Sequence, residues 1–230
     1  MAERPYTLLS CCVSLDGYLD DTTGHRLRLS TDADLDRVDA VRATCDAILV
    51  GAATVRNDNP RLLVRSPLRQ EQRVARGDRA TPIKVTVTER AKLDACANFF
   101  SAGDTEKLVY CASATVPLAH EQLCTVATVI DGGEPVDMRW VGEDLYSRGV
   151  RRLMVEGGGT LHTQFLTAGL ADELHLVVAP FFVGDSLATR FVGDGNFPWS
   201  PEGRAKLADV RRIGDLVLMR YALSARFRVD

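Results

Sequence analysis

Three consecutive glycines, Gly157, Gly158 and Gly159, separate an apolar strand-like run from a helical pattern, and this turn constrains the fold more than any other feature. Glycine lets the backbone approach a ligand closely, and the following helix directs unpaired N–H groups and its positive dipole end toward the same place. The turn therefore predicts a site for an anionic cofactor. For a glycine triplet considered alone, a tight turn without a ligand is the alternative. Glu156 precedes the turn, so its carboxylate would lie where the bound cofactor ends.

A second glycine turn of the same kind follows the apolar run 47–50, with Gly51 and then Thr54. Two such turns suggest one extended ligand. An ordinary Rossmann fold is disfavoured, because its G-x-G-x-x-G fingerprint requires a third glycine where this chain has His162. The triplet also lies late in the chain, whereas the Rossmann fingerprint belongs to the first strand and helix.

Composition narrows the class of protein. The chain has 230 residues, 46% of them hydrophobic, which is enough for a full core and predicts one domain over residues 1–230. A net charge of −3 with scattered basic residues argues against a nucleic-acid partner. No apolar run approaches the roughly 20 residues of a membrane span, and the first residues do not resemble a signal peptide. We therefore expect a cytoplasmic protein without membrane association.

The six cysteines form no C-x-x-C pair and no metal-binding spacing with the four histidines, so no metal is expected. Most of these cysteines are expected to be small buried hydrophobic residues. A cysteine nucleophile is a weak alternative, because no histidine or asparagine lies close in sequence to support one.

Strand-like runs alternate with helical patterns along most of the chain. The predicted strands are 7–13, 47–50, 83–88, 107–111, 125–130, 152–155, 173–179, 205–213 and 216–223, and the predicted helices are 32–45, 138–148 and a stretch from 160. This order predicts an α/β fold with a mostly parallel central sheet flanked by helices and an antiparallel C-terminal hairpin. The arginine-rich segment 66–82 lies between prolines, and we expect a solvated loop there rather than a binding element.

The first predicted helix carries an arginine in line with its apolar stripe. Thr31 and Asp34 form a plausible N-terminal cap, and Leu35 and Val38 mark the expected core face. Arg42 falls on the same face. From the helix alone, Arg42 either extends along the helix end, where the dipole favours a cation, or binds an anion in a partly buried cleft.

Four blocks of sequence, in order and at matching spacing over almost the whole chain, resemble the pyrimidine reductase family of riboflavin biosynthesis. The blocks are Ser14-Leu15-Asp16-Gly17, the run 41–55 with Val41-Arg42 and Gly51-x-x-Thr54-Val55, the run Asp58-x-Pro60-Arg61-Leu62-x-Val64-Arg65, and Val155-Glu156-Gly157-Gly158-Gly159-Thr160-Leu161. The two glycine turns are also similar to the cofactor turns of dihydrofolate reductases, and the resemblance implies a dihydrofolate-reductase-like fold. The zinc deaminase domain fused to many bacterial relatives is not expected, because H-x-E with P-C-x-x-C is absent from the sequence.

The resemblance implies an NADPH-dependent reduction in which the opened ribosyl group of a phosphoribosylamino-pyrimidine accepts a hydride at C1′ and becomes a ribityl chain. The implied cofactor-binding residues are Val13, Gly51, Thr54, Asp58, Gly157, Gly158, Gly159, Thr160 and Leu161. The implied substrate-binding residues are Arg42, Leu62, Arg65 and Glu156. Glu156 is the implied catalytic residue, which would bind ribose hydroxyls or assist proton delivery. A homodimer is also implied, and it would cover the apolar strand pair 216–223.

The chain departs from the family pattern where many members bind the substrate phosphate or the cofactor. Arg26 and Arg28 replace a serine and a tryptophan, Ser10 stands where bacterial members often carry lysine, and Glu89 stands in place of part of an Asp-Ser pair. Arg26 is a candidate to bind the phosphate in place of the serine. These changes leave open a diverged reductase acting on another heterocycle, such as a pterin, and a non-catalytic nucleotide sensor.

Overall fold

A computed structural model describes residues 3–24 and 27–227. The strands in this part of the chain are β1 (Tyr6–Ser14), β2 (Ala47–Gly51), β3 (Ile83–Thr88), β4 (Lys107–Cys111), β5 (Thr128–Asp131), β6 (Arg152–Val155), β7 (Glu173–Ala179), β8 (Lys206–Ile213) and β9 (Leu216–Ala222). The α-helices are α1 (Asp32–Arg42), α2 (Ala52–Asp58), α3 (Pro67–Ala75), α4 (Asn98–Ser101), α5 (Val116–Leu123), α6 (Met138–Ser147) and α7 (Gly159–Thr167).

These residues form two compact units, and the first comprises residues 3–5 and 38–154. Its strands follow the order β5-β4-β3-β2-β6, and the pairs β2–β3, β3–β4 and β4–β5 are parallel. Strands β2 and β4 are buried along nearly their whole length. Continuous burial without alternation is expected for parallel strands covered on both faces.

The second unit comprises residues 6–24, 27–37 and 155–227, and its strands follow the order β1-β7-β9-β8. β1 pairs with β7 in parallel, whereas β9 pairs antiparallel with both β7 and β8. The predicted antiparallel C-terminal hairpin is therefore confirmed, as is the mostly parallel arrangement of the other strands. One face of the hairpin carries three exposed apolar side chains, Leu207, Val210 and Val217.

The segment 66–82 is not the solvated loop that its arginines and prolines predicted. Residues 67–75 form α3, whose N-cap Ser66 accepts a hydrogen bond from Arg69 N and whose first residue is Pro67. Arg73 is 2% exposed because its guanidinium donates to the carbonyl oxygens of Ala43, Cys45 and Arg79. Arg73 therefore belongs to the packing of the first unit, whereas Arg76 and Arg79 are exposed.

Helix α1 also differs from its prediction. It ends at Arg42 rather than near residue 45, and Leu35 and Val38 are only half-buried. The buried positions are instead two carboxylates, Asp34 at 0% and Asp39 at 1% exposure. Asp39 accepts three hydrogen bonds, whereas Asp34 accepts one, from Arg37 Nε to Oδ1, and its Oδ2 has no partner among the described residues.

None of the described helices is long and apolar enough to cross a membrane. The prediction of one domain over residues 1–230 stays a prediction.

Candidate active site

The glycine turn of the second unit has a backbone that depends on glycine. Gly157 adopts a φ of 111°, which residues with a Cβ rarely adopt, and its peptide bond to Gly158 is cis. Gly158 is the N-cap of α7, and no side chain in the described part of the chain caps this helix end. The carbonyl oxygen of Arg190 lies 2.3 Å from where a Cβ on Gly159 would stand. The turn thus leaves the first N–H groups of α7 for a ligand.

Four implied site residues of the second unit differ in polarity and in burial. Glu156 is half-buried at the end of β6, and Thr160 is exposed on the first turn of α7. Val13 and Leu161 are each 3% exposed, so their side chains belong to the core. The implied catalytic carboxylate and the exposed hydroxyl therefore border the turn in sequence, while the two apolar side chains are buried.

A cavity of about 430 Å³ lies beside the first turn of α7. Its walls are formed by Gly159, Thr160, Thr163 and Gln164 of α7 and by Ala188, Thr189, Arg190, Val192 and Gly193 of the loop 188–193. Gly193 N donates to Thr163 Oγ1 over 2.9 Å, which ties the loop to the helix. Sequence reasoning did not find this loop, because no motif marks it.

Asp16, in the first block of the family resemblance, fastens the chain after β7. Its carboxylate accepts hydrogen bonds from Val183 N at 3.1 Å, Gly184 N at 2.8 Å and Ser14 Oγ at 2.5 Å. Desolvation alone would raise the pKa of Asp16, but these hydrogen bonds outweigh it and lower the pKa to about 2. The motif aspartate is therefore a charged anchor between two loops of the second unit.

His162, at the position of the missing third glycine, is fully buried behind the turn. Its Cε1 lies 3.4 Å from the position of a Cβ on Gly157, and its ring packs on Phe191 with centroids 5.3 Å apart. Within the described residues, neither ring nitrogen has a hydrogen-bond partner of ordinary geometry. Burial lowers the pKa of His162 to about 4, against the opposing effect of nearby backbone groups. The ring is therefore neutral at pH 7.

The second predicted glycine turn is formed in the first unit. Gly51 is the N-cap of α2, and no side chain of the described residues caps that helix. Thr54 and Asp58 are half-buried and four residues apart, so they share one face of α2. This turn has the same elements as the first, an uncapped helix N-terminus with polar side chains on the adjoining turn.

The first unit also brings together the segments that carry the implied substrate arginines. Arg42, in the last turn of α1, donates through Nη1 to Leu63 O over 3.2 Å. Leu62 is 2% exposed and has a φ of 48°, which is uncommon for a residue other than glycine and is frequent at functional loops. The side chain of Arg65 is 55% exposed.

Asp39, which sequence reasoning missed, links α1 to this segment. Its carboxylate accepts hydrogen bonds from Arg65 N at 2.5 Å, Ser66 N at 3.2 Å and Arg69 Nη1 at 2.9 Å. The only sequence signal was its spacing of three residues before Arg42 on a predicted helix, which places both side chains on one face.

The four residues that depart from the family pattern differ in exposure and in hydrogen-bond partners where the structure describes them. Arg26 lies outside the described residues. The side chain of Arg28 is 68% exposed and pairs with Asp32. Ser10 is 5% exposed and stands opposite His175 in the β1–β7 register. Glu89 is exposed, and its Oε1 accepts a hydrogen bond from Val136 N over 3.2 Å.

Each of the two turns, taken by itself, suits an anionic group such as a phosphate. Two uncapped helix N-termini can each accept an anion, and the glycine at each turn permits close approach of the backbone. A planar guanidinium such as that of Arg42 or Arg65 suits a phosphate monoester. Among the described residues, no group of three or more His, Cys, Asp or Glu side chains is arranged to hold a metal ion.

Comparison with known proteins gives consistent results. The family model described as the RibD C-terminal domain matches residues 5–219. A 2,5-diamino-6-ribosylamino-4(3H)-pyrimidinone 5′-phosphate reductase of Archaeoglobus fulgidus is 35% identical over 228 residues, which is 97% of this chain and 99% of the relative.

Two solved structures support the fold. A pyrimidine reductase-like protein from Corynebacterium diphtheriae superposes with a TM-score of 0.81 at 23% identity, covering 95% of this chain and 91% of that one. A dihydrofolate reductase from Enterococcus faecalis, solved with NADP(H), superposes with a TM-score of 0.51 at 11% identity, covering 96% and 98% of the two chains. The predicted dihydrofolate-reductase-like fold is confirmed.

Proposed function

The chain belongs to the RibD C-terminal domain family, and from this premise we propose that it reduces 2,5-diamino-6-ribosylamino-4(3H)-pyrimidinone 5′-phosphate in riboflavin biosynthesis, with NADPH as the reductant. One observation carries the proposal. A relative with this activity in its name is 35% identical along essentially its whole length. The enzyme is therefore an oxidoreductase. That its substrate is the diamino-pyrimidinone rather than the corresponding uracil is the more specific part of the proposal.

In the second unit, the turn that leads into α7 is the proposed cofactor site, and in the first unit the resemblance assigns the turn that leads into α2 to the cofactor. Its pyrophosphate suits the uncapped N-terminus of α7, where Gly158 and Thr160 present backbone N–H groups and a hydroxyl. Gly51, Thr54 and Asp58 would supply the contacts of the first unit. When bound, the cofactor supplies a hydride, and the protein contributes orientation and charge.

The substrate phosphate would be bound by Arg42 and Arg65, with Arg26 as a third candidate, while Leu62 shapes the segment between them. The hydride adds to C1′ of the ring-opened imine, the C=N electron pair moves to nitrogen, and that nitrogen takes up a proton. Glu156, half-buried beside the turn, would orient the ribose hydroxyls or assist this proton transfer. The products are NADP⁺ and the ribitylamino compound.

The test is NADPH oxidation followed with the diamino-pyrimidinone phosphate and the phosphoribosylamino-uracil side by side. We expect the kcat/KM for the diamino-pyrimidinone phosphate to be larger than that for the phosphoribosylamino-uracil. NADH in place of NADPH tests the cofactor. Equal or better turnover of the uracil would correct the substrate, and absence of turnover with both would overturn the proposal.

A second candidate, a diverged reductase of another heterocycle, is favoured by one observation. Ser10 is buried where bacterial members often carry lysine, so the charge that this lysine would supply is absent there. A dihydropterin in the same assay tests this candidate. A preference for the pterin over both ribosylamino-pyrimidines would establish it.

We also propose that the functional unit is a homodimer. Leu207 and Val210 on β8 pair with Tyr221 and Met219 on β9, and these positions share a face with Val217. Leu207, Val210 and Val217 are 50%, 53% and 40% exposed. An exposed apolar strand pair of this kind is an aggregation hazard that symmetric association would remove.

A further inference from the structure

The segment 63–66 is held by four side chains of the first unit, two on α1, one on α3 and Thr81, rather than by strand pairing. Leu63 O accepts from Arg42 Nη1 at 3.2 Å, Val64 N donates to Thr81 Oγ1 at 3.0 Å, Val64 O accepts from Gln70 Nε2 at 2.6 Å, and the amides of Arg65 and Ser66 donate to Asp39. A segment whose backbone polar groups are satisfied in this way has one defined conformation, although it has no regular secondary structure.

Asp39 is the centre of this arrangement. It is 1% exposed, and both carboxylate oxygens are used, Oδ1 by Arg65 N and Oδ2 by Ser66 N and Arg69 Nη1. Burial alone would raise the pKa of Asp39, but the hydrogen bonds from Arg65, Arg69 and Ser66 lower it, so the carboxylate stays ionised at neutral pH. Charge-assisted bonds to two successive amides are stronger than neutral ones.

We propose that Asp39 is a positioning residue for the substrate's phosphate, and that it acts by fixing the backbone from which the Arg65 guanidinium reaches that phosphate. The inference rests on the proposed function, because Arg65 is assigned to the phosphate there. Asp39 itself lies too deep to contact a substrate, and no role follows for it from the family resemblance.

The geometry explains how a buried carboxylate orients an exposed arginine. Asp39 Oδ1 accepts the Arg65 amide at 2.5 Å, whereas the Arg65 Nε lies 3.7 Å from the same oxygen, at the outer limit of an ion pair. Asp39 therefore holds the Arg65 amide more closely than it holds the Arg65 Nε. Because the backbone at Arg65 is fixed, its side chain loses less conformational entropy when the guanidinium binds an anion. This pre-organisation raises the affinity for the anion.

Asp39→Asn tests the proposal, with Arg69→Gln as its matched control. Both changes break the ion pair between residues 39 and 69, but only the first alters the acceptor of the Arg65 and Ser66 amides. We expect Asp39→Asn to raise KM for the phosphorylated substrate about tenfold, with KM for the dephosphorylated compound and the Kd of NADPH within twofold of wild type. Arg69→Gln should change all three constants less than about threefold. Equal KM increases in both variants, or for both substrates, would overturn the proposal.

Thr81→Val keeps the inference testable if Asp39→Asn fails to fold. It removes the hydroxyl that accepts the Val64 amide and loosens the same segment without touching Asp39. We expect a smaller increase of KM, about threefold, again confined to the phosphorylated substrate. An unchanged KM in a folded Thr81→Val protein would contradict the claim that the segment must be held.

Ribose 5-phosphate, titrated by calorimetry, separates this inference from the proposed function. It presents the phosphate without the heterocycle. Binding to wild type that weakens about tenfold in Asp39→Asn supports the inference even if neither pyrimidine is turned over, in which case only the proposed function fails. Equal binding to both proteins, or no binding to wild type, overturns the inference.

Discussion

Glu156 is the single residue on which the proposed chemistry depends most. Replacement by Gln keeps the shape and the hydrogen-bonding capacity of the half-buried side chain but removes its charge and its acid–base function. We expect kcat to fall by a factor on the order of 10² while the Kd of NADPH is unchanged. Steady-state kinetics and a fluorescence titration check the two quantities. An unaltered kcat would remove Glu156 from the reaction and favour a nucleotide sensor.

Arg42 and Arg65 should act on substrate affinity rather than on cofactor affinity. Each charge-assisted contact to a phosphate contributes about 1.5–3 kcal/mol, so replacement of either arginine by Ala should raise KM roughly 10- to 100-fold. Arg26→Ala should behave in the same way if Arg26 binds the phosphate in place of the missing serine. The exposed Arg90 provides the control, since Arg90→Ala should leave KM unchanged. A wild-type enzyme indifferent to removal of the phosphate contradicts the assignment.

The buried imidazole of His162 makes stability depend on pH. Its folded-state pKa of about 4 lies below the 6.5 of an exposed histidine, so the unfolded chain binds a proton between these values and the folded chain does not. The resulting contribution is fully present above pH 6.5 and is lost as the pH falls toward 4, with a size on the order of 1–3 kcal/mol. Denaturant unfolding at a series of pH values should show that the free energy of unfolding of His162→Leu lacks the decrease seen for wild type between pH 6.5 and 4. The same dependence of the free energy of unfolding on pH in both proteins would contradict the prediction.

At the scale of elements, the junction between the glycine turn and the loop 188–193 is the most sensitive to added volume. A methyl group at position 159 would lie 2.3 Å from the carbonyl oxygen of Arg190, and a backbone atom cannot move aside cheaply. We expect Gly159→Ala to lower the free energy of unfolding by about 1–3 kcal/mol and to weaken NADPH binding. Gly193→Ala, in the loop 188–193 on the other side of this junction, is the control, because its new methyl group would meet only Thr163 Oγ1 at 3.8 Å. Equal stability of both variants would contradict the packing argument.

The elements that sequence reasoning predicted well are those with a local pattern. Strands β2 and β4 are mostly apolar runs, and β3 alternates apolar with polar residues. The cap at the start of α1 formed as expected, with Asp34 N donating to Thr31 Oγ1 over 3.3 Å. Helix α3 was missed although its signals were local too. Ser66 and Pro67 are a typical N-cap and first helical residue, but they were interpreted as the boundary of a loop.

Other features have no local pattern to reveal them. Asp39 is buried because its partners Arg65, Ser66 and Arg69 lie 26 to 30 residues away in sequence, and Arg73 is buried through carbonyl oxygens 28 and 30 residues away. Amphipathic spacing alone assigns such side chains to the surface. The glycine turns and Glu156 were predicted because a motif marks them, whereas the loop 188–193 was found only when the fold placed it beside α7.

At the scale of the whole molecule, the apolar face of the β8–β9 hairpin is the surface on which the proposed homodimer depends. Val210, 53% exposed at the middle of β8, would become a central contact of the proposed homodimer. We expect Val210→Lys to give a monomer near 25 kDa, measured by light scattering at micromolar concentration, whereas wild type gives twice that mass. Arg211→Gln, on the opposite face of the same strand, should remain dimeric. A monomeric wild type would rule the homodimer out.

The way in which the segment 63–66 is held has a consequence for how enzymes of this shape diversify. Its supports are side chains on α1, on α3 and at Thr81, and Arg65 itself is not among them. A new residue at position 65 would therefore inherit a prepared backbone instead of having to build one. Selection, or a library of variants randomised at that position, would then exchange the phosphate proposed as the partner of Arg65 for another ligand while the surrounding scaffold stays folded.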